Sequence, residues 1–374
     1  MATFPSKVNF VTGDVLTATN MNDIGGAINL LDGAQYSAGK NKIINGDCFQ
    51  NQRSTTSTTT SGTYLVDRFR ILLAATAGSV TGSVQQFTPG TAPVAGYEAK
   101  QYCRVVTVGQ AASTDRALFG YGGIEDVRSF AGQTVTLSFW AKAATGTPSV
   151  AVEFTQLFGS GGSPSATVTA IGATKTAITT SWARYTFTVA IPSIAGKTIG
   201  TDANTSTLQF GIWLSAGSTF DARTASLGLQ NNTFDLWGMQ VEDADTASPF
   251  QTATGSIQGE LAACQRYYWR STNNVASTMF SLGAAYSTTA AQYFIKFPIS
   301  MRIYPSSLDY SNLNIQDIGT GTLTAPTAVA INTGTPEGVQ ILATGGSGFT
   351  QYRPYGLTSP NSTAVAYIGL NAEF

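Results

Sequence analysis

Apolar and polar side chains alternate with a period of two through residues 134–142, TVTLSFWAK. Val135, Leu137 and Phe139 fall on one phase of this alternation, and hydroxyl side chains fall on the other. Such an alternation, rich in β-branched and aromatic residues, predicts a strand with one face in a hydrophobic core. The same pattern recurs in two later segments, residues 183–191 and 208–214. We therefore expect β-strands to form the framework of the protein.

Three tryptophans break these alternations because they lie on the polar phase: Trp140, Trp182 and Trp213. Their rings are predicted to point away from the main core. Aromatic rings stack on the apolar C–H faces of sugars, so the three tryptophans are candidates for a glycan-binding platform. Alternatively, they pack beneath the N-terminal segment, beneath a crossing loop, or at a subunit interface.

Eight strand candidates separated by turn-rich spacers lie between residues 41 and 255. They are residues 64–73, 80–87, 101–108, 134–142, 150–157, 183–191, 208–214 and 234–242. Their number and spacing predict an all-β, two-sheet jelly roll. Residues 54–63, STTSTTTSGT, have low complexity and are expected to form a loop or an extended edge.

The composition limits the chemistry that the chain can perform. Charged residues make up 11% of its 374 residues and the net charge is −1, so no bulk attraction to nucleic acid or to an anionic membrane is expected. Histidine, the commonest general base, is absent. Cys48, Cys103 and Cys264 lack metal or redox spacing, and we interpret them as small buried apolar residues with at most one disulfide among them. The N-terminus has no apolar signal region, so we expect no classical export signal.

One helix is predicted in the first 40 residues, and it ends near Gly33. Its apolar residues are spaced three and four apart, as in an a/d heptad pattern: Met21, Ile24, Ile28 and Leu31. Two interpretations are open. The helix packs on its own domain, or it forms a seam between identical chains or an anchor on a larger assembly.

Five motifs follow one another along the chain: KNKIINGDCFQNQRSTT (40–56), TYLVDRFRI (63–71), QTVTLSFWAKA (133–143), TSWARYTFTV (180–189) and FDLWGMQVEDADTASPF (234–250). In this order they resemble the jelly-roll module of bacteriophage tail-fibre and minor tail proteins, which is itself similar to carbohydrate-binding modules. The resemblance covers most of residues 40–250. In addition, residues 10–23, FVTGDVLTATNMND, resemble the N-terminal attachment segment of phage fibre-like proteins.

The segment GELAACQRYYWR (259–270), followed by FPISMRIYPS (297–306), resembles the C-terminal domain that often follows this module in tail fibres. The resemblance implies three parts: an attachment segment at 1–40, a jelly roll at 41–255, and a second, smaller β-sandwich at 256–374 that binds a receptor. A homotrimer is expected as well, since such a domain often completes its core between chains.

A glycine-rich loop at residues 345–356 brings further candidate glycan-binding side chains together: Phe349, Tyr352, Arg353 and Tyr355. Loops on a rigid scaffold often carry adaptable binding residues. Alternatively, this loop is ordered and packs on its own sandwich.

Jelly-roll carbohydrate modules often hold a structural calcium ion near their first and last strands. Asp47 and Asp235 lie at the matching places of this sequence, and carboxylate oxygens suit calcium. Alternatively, the two residues are an ordinary turn cap and a surface carboxylate. No other cofactor is expected.

The sequence does not favour catalysis. Glu242, Asp243 and Asp245 are too close along the chain to face one another across a cleft, as glycoside hydrolysis requires. We therefore expect a non-enzymatic virion fibre or adhesion protein on an external tail or fibre, which attaches a phage particle to a host surface glycan and contacts other virion proteins through residues 1–40. The alternative is a purely structural virion component, such as an adaptor or decoration protein.

Overall fold

The computed structural model describes residues 39–374, and within them nearly all regular secondary structure is β. The first twelve strands are β1 (Ser57–Thr58), β2 (Tyr64–Val66), β3 (Phe69–Ala74), β4 (Ser79–Gln86), β5 (Gln101–Val108), β6 (Arg116–Tyr121), β7 (Thr134–Ala143), β8 (Ser149–Leu157), β9 (Val168–Ala177), β10 (Ala183–Ala190), β11 (Thr207–Ala216) and β12 (Asn232–Glu242). The all-β class predicted from the alternating pattern is confirmed.

These strands form two six-stranded antiparallel sheets. The first sheet has the order β1-β4-β5-β12-β7-β10, and the second sheet has the order β2-β3-β6-β11-β8-β9. The chain passes repeatedly from one sheet to the other, as in a jelly roll. The predicted jelly-roll sandwich is therefore present, and the low-complexity stretch supplies β1 at one edge of the first sheet.

The core of the jelly roll lies between the two sheets. On β7, Val135, Leu137 and Phe139 are fully buried, and Phe139 stacks on Phe187 of β10 with ring centroids 5.8 Å apart. The second sheet contributes rings such as Phe154 to the same core. Burying a side chain of this size contributes about 1.5–3 kcal/mol relative to leaving it exposed. The alternation along each strand therefore decides which face of the strand turns inward.

The strands of the jelly roll differ from the prediction at three places. Residues 64–73 form the hairpin β2–β3 rather than one strand, because the chain reverses at Asp67 and Arg68, where Arg68 has a φ of 71°. Strand β6 was not predicted because it is buried on both faces and has no polar phase. Strand β9 was missed because it is rich in small and hydroxyl residues and is interrupted by positive φ angles at Ala170 and Gly172.

The remaining strands build a second, smaller sandwich. They are β13 (Tyr268–Asn273), β14 (Met279–Ala285), β15 (Ala290–Lys296), β16 (Ser307–Ser311), β17 (Asn314–Asp317), β18 (Leu323–Thr324), β19 (Ala328–Thr335), β20 (Gly338–Thr344), β21 (Pro354–Thr358) and β22 (Ala366–Asn371). A three-stranded sheet has the order β13-β22-β16, and a seven-stranded sheet has the order β18-β17-β21-β14-β15-β20-β19. The two enclose their own core, with Tyr293, Ile341 and Leu370 at its centre.

Two short α-helices occur among residues 39–374, α1 (Asp221–Thr224) and α2 (Ile257–Gln265), and a 3₁₀ turn at Ser218–Phe220 precedes α1. The sequence did not predict α2, which is capped by Ser256, whose Oγ accepts a hydrogen bond from the backbone nitrogen of Gly259 at 3.0 Å. Neither helix is long and apolar enough to cross a membrane. The predicted N-terminal helix lies outside the described residues, and so do its heptad positions, Met21, Ile24, Ile28 and Leu31.

Buried charged groups join the two sandwiches. The guanidinium of Arg68, between β2 and β3, is paired with the carboxylate of Glu373, just beyond β22. Arg302 donates from Nε to the carbonyl of Ala372 at 2.9 Å, and it also donates to the carbonyl of Asn204 in the jelly roll. The segment after β22 is thus held against the jelly roll. The domain boundaries at 40/41 and 255/256 stay predictions.

Candidate functional site

Trp140 lies on the outer face of the first sheet, as its phase predicted, but only 8% of its surface is exposed. Its ring packs on Trp237 and Phe250, with centroids 5.5 and 5.7 Å away. The segment 87–100, which connects β4 with β5, contributes apolar side chains to the same cluster. Packing beneath a crossing loop therefore describes Trp140, and its ring has no open face for a sugar.

Trp213 is fully buried on the outer face of the second sheet. Its Nε1 donates a hydrogen bond to Glu153 at 3.0 Å, and its ring lies 5.1 Å from that of Phe220, next to α1. Trp182 is half-buried beside Phe87 at the first sheet. Because the three tryptophans are divided between the outer faces of two different sheets, the structure does not bring them together as one platform.

The loop at residues 345–356 divides its four candidate side chains between the core and the solvent. Phe349 and Tyr355 are buried in the second core, with ring centroids 4.8 Å apart. Arg353 points to a carboxylate, with its Nε 3.2 Å from Oδ1 of Asp317. Tyr352, in contrast, is 81% exposed. The packing alternative describes Phe349 and Tyr355, and Tyr352 presents its ring to solvent.

Tyr352 lines a groove of about 310 Å³ on the outer face of the seven-stranded sheet. The large side chains of this aromatic groove, as we call it, are Leu282, Tyr286, Gln292, Tyr293, Phe294, Gln340 and Tyr352. Its apolar members are unusually open to solvent, with exposed fractions of 59% for Leu282, 58% for Tyr286 and 62% for Phe294. A concentration of solvent-exposed rings on one sheet face is typical of a binding surface.

The strands explain how the groove arises. On β15, Tyr293 and Ile295 turn inward, so Phe294 between them turns outward. The pairing of β15 with β20 places Phe294 directly opposite Gln340. The loop that carries Tyr352 is held at the end of β14, because the backbone nitrogen of Tyr352 donates a hydrogen bond to the carbonyl of Ala285 at 2.9 Å. The groove is therefore mostly built on rigid strands.

Amide groups provide the polar contacts of the groove. Nε2 of Gln340 lies 3.4 Å from Oε1 of Gln292, and Nδ2 of Asn332 donates to Oε1 of Gln340 at 2.6 Å. None of the residues that line the groove is charged. The arrangement can hold a ligand by stacking and hydrogen bonding.

A second groove, of about 250 Å³, lies on the outer face of the second sheet. It is lined by polar residues such as Arg70, Thr155 and Gln209. Its aromatic residues, Tyr121 and Phe210, are buried. Because stacking on a sugar needs an accessible ring, the aromatic groove is the better candidate for glycan binding.

The two predicted calcium ligands are each engaged by protein groups. Asp235 accepts hydrogen bonds from Arg104 at 2.7 and 2.9 Å, and Nζ of Lys142 lies 3.6 Å from its Oδ2. Asp47 accepts a hydrogen bond from the hydroxyl of Tyr97 at 2.9 Å, and burial raises the pKa of its carboxyl. Within residues 39–374, no cluster of three or more acidic or cysteine side chains could hold a metal ion. Calcium binding stays a prediction of the resemblance. Calcium titration of the wild type and of Asp47→Asn, compared with each other, tests it.

Glu242, the first member of the acidic cluster, is fully buried. Its Oε2 accepts hydrogen bonds from Nε2 of Gln240 at 2.6 Å and from the backbone nitrogen of Ser248 at 3.1 Å. These bonds fix the turn after β12. The residue therefore serves the structure of that turn.

Comparison with known proteins gives only remote matches. No family model matches the chain, and no curated protein matches it significantly. Among solved structures, the N-terminal cellulose-binding domain of a β-1,4-glucanase from Cellulomonas fimi is 15% identical, with 55% of this chain and 99% of that one aligned and a TM-score of 0.29. The xylan-binding CBM22-1 domain from Paenibacillus barcinonensis is 12% identical (56% and 99% aligned, TM-score 0.27). A family 11 carbohydrate-binding module from Clostridium thermocellum is 10% identical (52% and 99% aligned, TM-score 0.28). Because these TM-scores are low, the assignment of the jelly-roll fold is based on the sheets of this chain and not on the matches.

Most residues of the aromatic groove were not identified from the sequence, although the position of Phe294 in the alternation pattern indicated an outward-facing ring. Phe294 is out of phase with Tyr293 and Ile295, which is the same irregularity that drew attention to the tryptophans. Leu282 and Tyr286 gave no comparable signal. They become a site only because β14 pairs with β15 and the loop carrying Tyr352 returns to that edge.

Proposed function

We propose that the protein is a non-enzymatic glycan-binding protein whose aromatic groove takes an uncharged sugar. The observation that supports this most is the joint exposure of Tyr286, Phe294 and Tyr352 around the amides of Gln292 and Gln340. Sugars offer apolar C–H faces for the rings and hydroxyls for the amides. The groove is near the lower end of ligand-site volumes, so it suits a short part of a glycan.

The absence of charge in the groove narrows the class of ligand. A carboxylate, sulfate or phosphate placed against Leu282 and Phe294 would lose hydration without gaining a cationic partner. Lys296 follows Phe294 on the same phase of β15 but does not line the groove. We therefore propose neutral hexose-type glycans rather than uronic or sialic acids.

We further propose that the chain acts as a virion fibre or adhesion protein of a phage. The support is the order of five motifs across residues 40–250, which resembles the jelly-roll module of tail-fibre proteins. In this proposal residues 1–40 attach the chain to other virion proteins and the C-terminal sandwich meets the host surface. Three copies would make weak binding at each groove useful through avidity.

The alternative is a purely structural virion component whose aromatic groove binds another viral chain. It is supported by the same resemblance and differs in the occupant of the groove. The fibre proposal expects a homotrimer, so light scattering should give three times the chain mass of 39.1 kDa. A monomeric mass in solution would contradict the trimer.

A glycan array tests the proposed function with the full-length protein. We expect binding to neutral oligosaccharides, weak dependence on salt, and loss of signal in Phe294→Ala and Tyr352→Ala. Tyr310→Ala is the matched control, because Tyr310 is an exposed ring on β16, outside the groove. Preferential binding to acidic glycans would contradict the proposed ligand class. An array without binding, combined with a trimeric mass, would favour the structural alternative.

A further inference from the structure

Two buried cysteine sulfurs lie next to each other in the jelly roll. Sγ of Cys48 and Sγ of Cys103 are 3.9 Å apart, and neither side chain has any exposed surface. Cys103 lies within β5, and Cys48 precedes it by 55 residues along the chain. Cys48 ends a turn that begins at Asn45. Both are free thiols in the structure. The fold thus brings together two thiols that are distant in sequence.

Hydrogen bonds hold the turn of Cys48 against the first sheet. The backbone nitrogen of Cys48 donates to the carbonyl of Asn45 at 2.9 Å. The side-chain amide of Gln101, two residues before Cys103, donates to the carbonyl of Cys48 at 2.7 Å. Nε1 of Trp237 donates to the carbonyl of Asp47 at 3.0 Å. These bonds fix the backbone on both sides of the cysteine pair.

The remaining gap between the sulfurs is small. A disulfide has an S–S length of about 2.05 Å, so the two sulfurs need to approach each other by roughly 2 Å. Rotation about the Cα–Cβ bonds displaces each Sγ while the backbone stays in place, so this is the movement that has to close the gap. Cys103 on β5 and the turn that carries Cys48 already bury the two sulfurs against each other.

We propose that Cys48 and Cys103 form a disulfide when the chain folds in the presence of a small-molecule disulfide such as oxidised glutathione. The thiolate of one cysteine attacks the oxidant, forms a mixed disulfide and releases one glutathione thiol. The second cysteine thiolate then attacks the protein sulfur of the mixed disulfide and releases the other glutathione thiol. Two protein thiols lose two electrons and two protons, and the oxidant gains them.

The reaction belongs to folding rather than to the native state. The thiolate is the reactive form of cysteine, and burial raises the pKa of Cys48 well above its usual value, with the neighbouring Cys103 adding to the shift. In the folded protein a bulky oxidant also has no access to either sulfur. We therefore expect folded, reduced protein to react far more slowly than the folding chain. The disulfide is independent of the proposed glycan binding, because neither cysteine lies in the aromatic groove.

The test is to fold the full-length chain in reduced or in oxidised glutathione and to analyse the native protein from each. After oxidative folding we expect one titratable thiol in denaturant in place of the three free cysteines, and a mass lower by two hydrogen atoms. Tryptic digestion should release residues 43–53 joined to residues 101–104. The oxidised form should also unfold at a higher temperature than the reduced form.

Two variants separate the proposed pair from other reactions. Cys264→Ser should still lose two thiols and show the higher unfolding temperature, because Cys264 lies in α2 and is not part of the pair. Cys103→Ser should show no internal cross-link and no difference in unfolding temperature between the two buffers. Three free thiols after oxidative folding, a cross-link that contains Cys264, or aggregation in the oxidised buffer alone would overturn the proposal.

Discussion

The buried ion pair between Arg68 and Glu373 determines how firmly the two sandwiches are joined. Both side chains are almost completely buried, and Arg68 also donates to the carbonyl of Gly123 at 2.6 Å. Its guanidinium lies 3.4 Å from the ring centroid of Tyr267. Burial acts to lower the pKa of Arg68, but Glu373 and the neighbouring tyrosines together outweigh burial, so the pKa is raised. The arginine therefore stays charged inside the protein.

The perturbation is Glu373→Gln, which keeps the shape of the side chain and removes its charge. Removing one partner of a buried ion pair costs about 3–5 kcal/mol, because the other charge is left without compensation. The carbonyl of Gly123 and the ring of Tyr267 still stabilise the Arg68 cation, so we expect the lower end, about 3 kcal/mol. In Arg68→Met, Glu373 retains Arg53 at 3.7 Å, so we expect a smaller loss of about 2 kcal/mol.

Urea denaturation with linear extrapolation measures these free energies of unfolding. The double variant Arg68→Met/Glu373→Gln should be destabilised by less than the sum of the two single variants, by at least about 1 kcal/mol. Glu337→Gln is the control, because Glu337 is exposed beside β20 and should change stability by less than about 0.5 kcal/mol. A loss below about 1 kcal/mol for Glu373→Gln, or additive single variants, would refute a compensated buried pair.

Two further predictions concern the jelly roll. Trp213→Ala should lower the free energy of unfolding by about 3–5 kcal/mol, because it opens a cavity and removes the hydrogen bond to Glu153. A variant with unchanged stability and weaker glycan binding would contradict this prediction and would indicate that Trp213 contacts the ligand. Burial raises the pKa of Asp67 from 3.8 to about 6, so the folded state binds its proton more tightly and stability falls as pH rises through this window. The stability of Asp67→Asn relative to the wild type should therefore increase by about 2–2.5 kcal/mol between pH 4 and pH 7, whereas a constant difference across that range would contradict a raised pKa.

Alternation of side chains predicted the framework well because a period of two reports directly which face of a strand meets the core. Strands β5, β7 and β12 appear where the pattern placed them. The same reasoning correctly placed Trp140 and Trp213 outside the main core. It could not show what covers those rings. The cover of Trp140 comes from the segment 87–100, whose path depends on the tertiary fold.

Aromatic residues in loops were harder to assign. The loop at 345–356 contains Phe349, Tyr352 and Tyr355, and composition alone does not distinguish a ring that packs inward from one that faces solvent. The structure buries Phe349 and Tyr355 against each other and exposes Tyr352. The aromatic groove arises from strand pairing, which brings Phe294 and Gln340 opposite each other although 46 residues separate them.

The partners of the buried charged residues could not be predicted from the sequence either. Asp67 and Arg68 are adjacent and opposite in charge, so a local ion pair or turn is the simplest interpretation of the sequence. They do form the turn between β2 and β3, but each carries its charge to a different partner: Arg68 to Glu373, and Asp67 to Arg53 at 3.6 Å. A partner some 300 residues away cannot be inferred from local spacing.

Calorimetric titration of the full-length protein with its best neutral glycan measures directly whether the aromatic groove is the binding site. For Phe294→Ala we expect a dissociation constant about tenfold weaker than that of the wild type, which corresponds to about 1.4 kcal/mol of lost stacking. For Tyr310→Ala we expect an unchanged dissociation constant, because Tyr310 lies on β16, outside the groove. Equal affinities of the wild type and Phe294→Ala would show that the glycan binds elsewhere and would contradict the aromatic groove as the binding site.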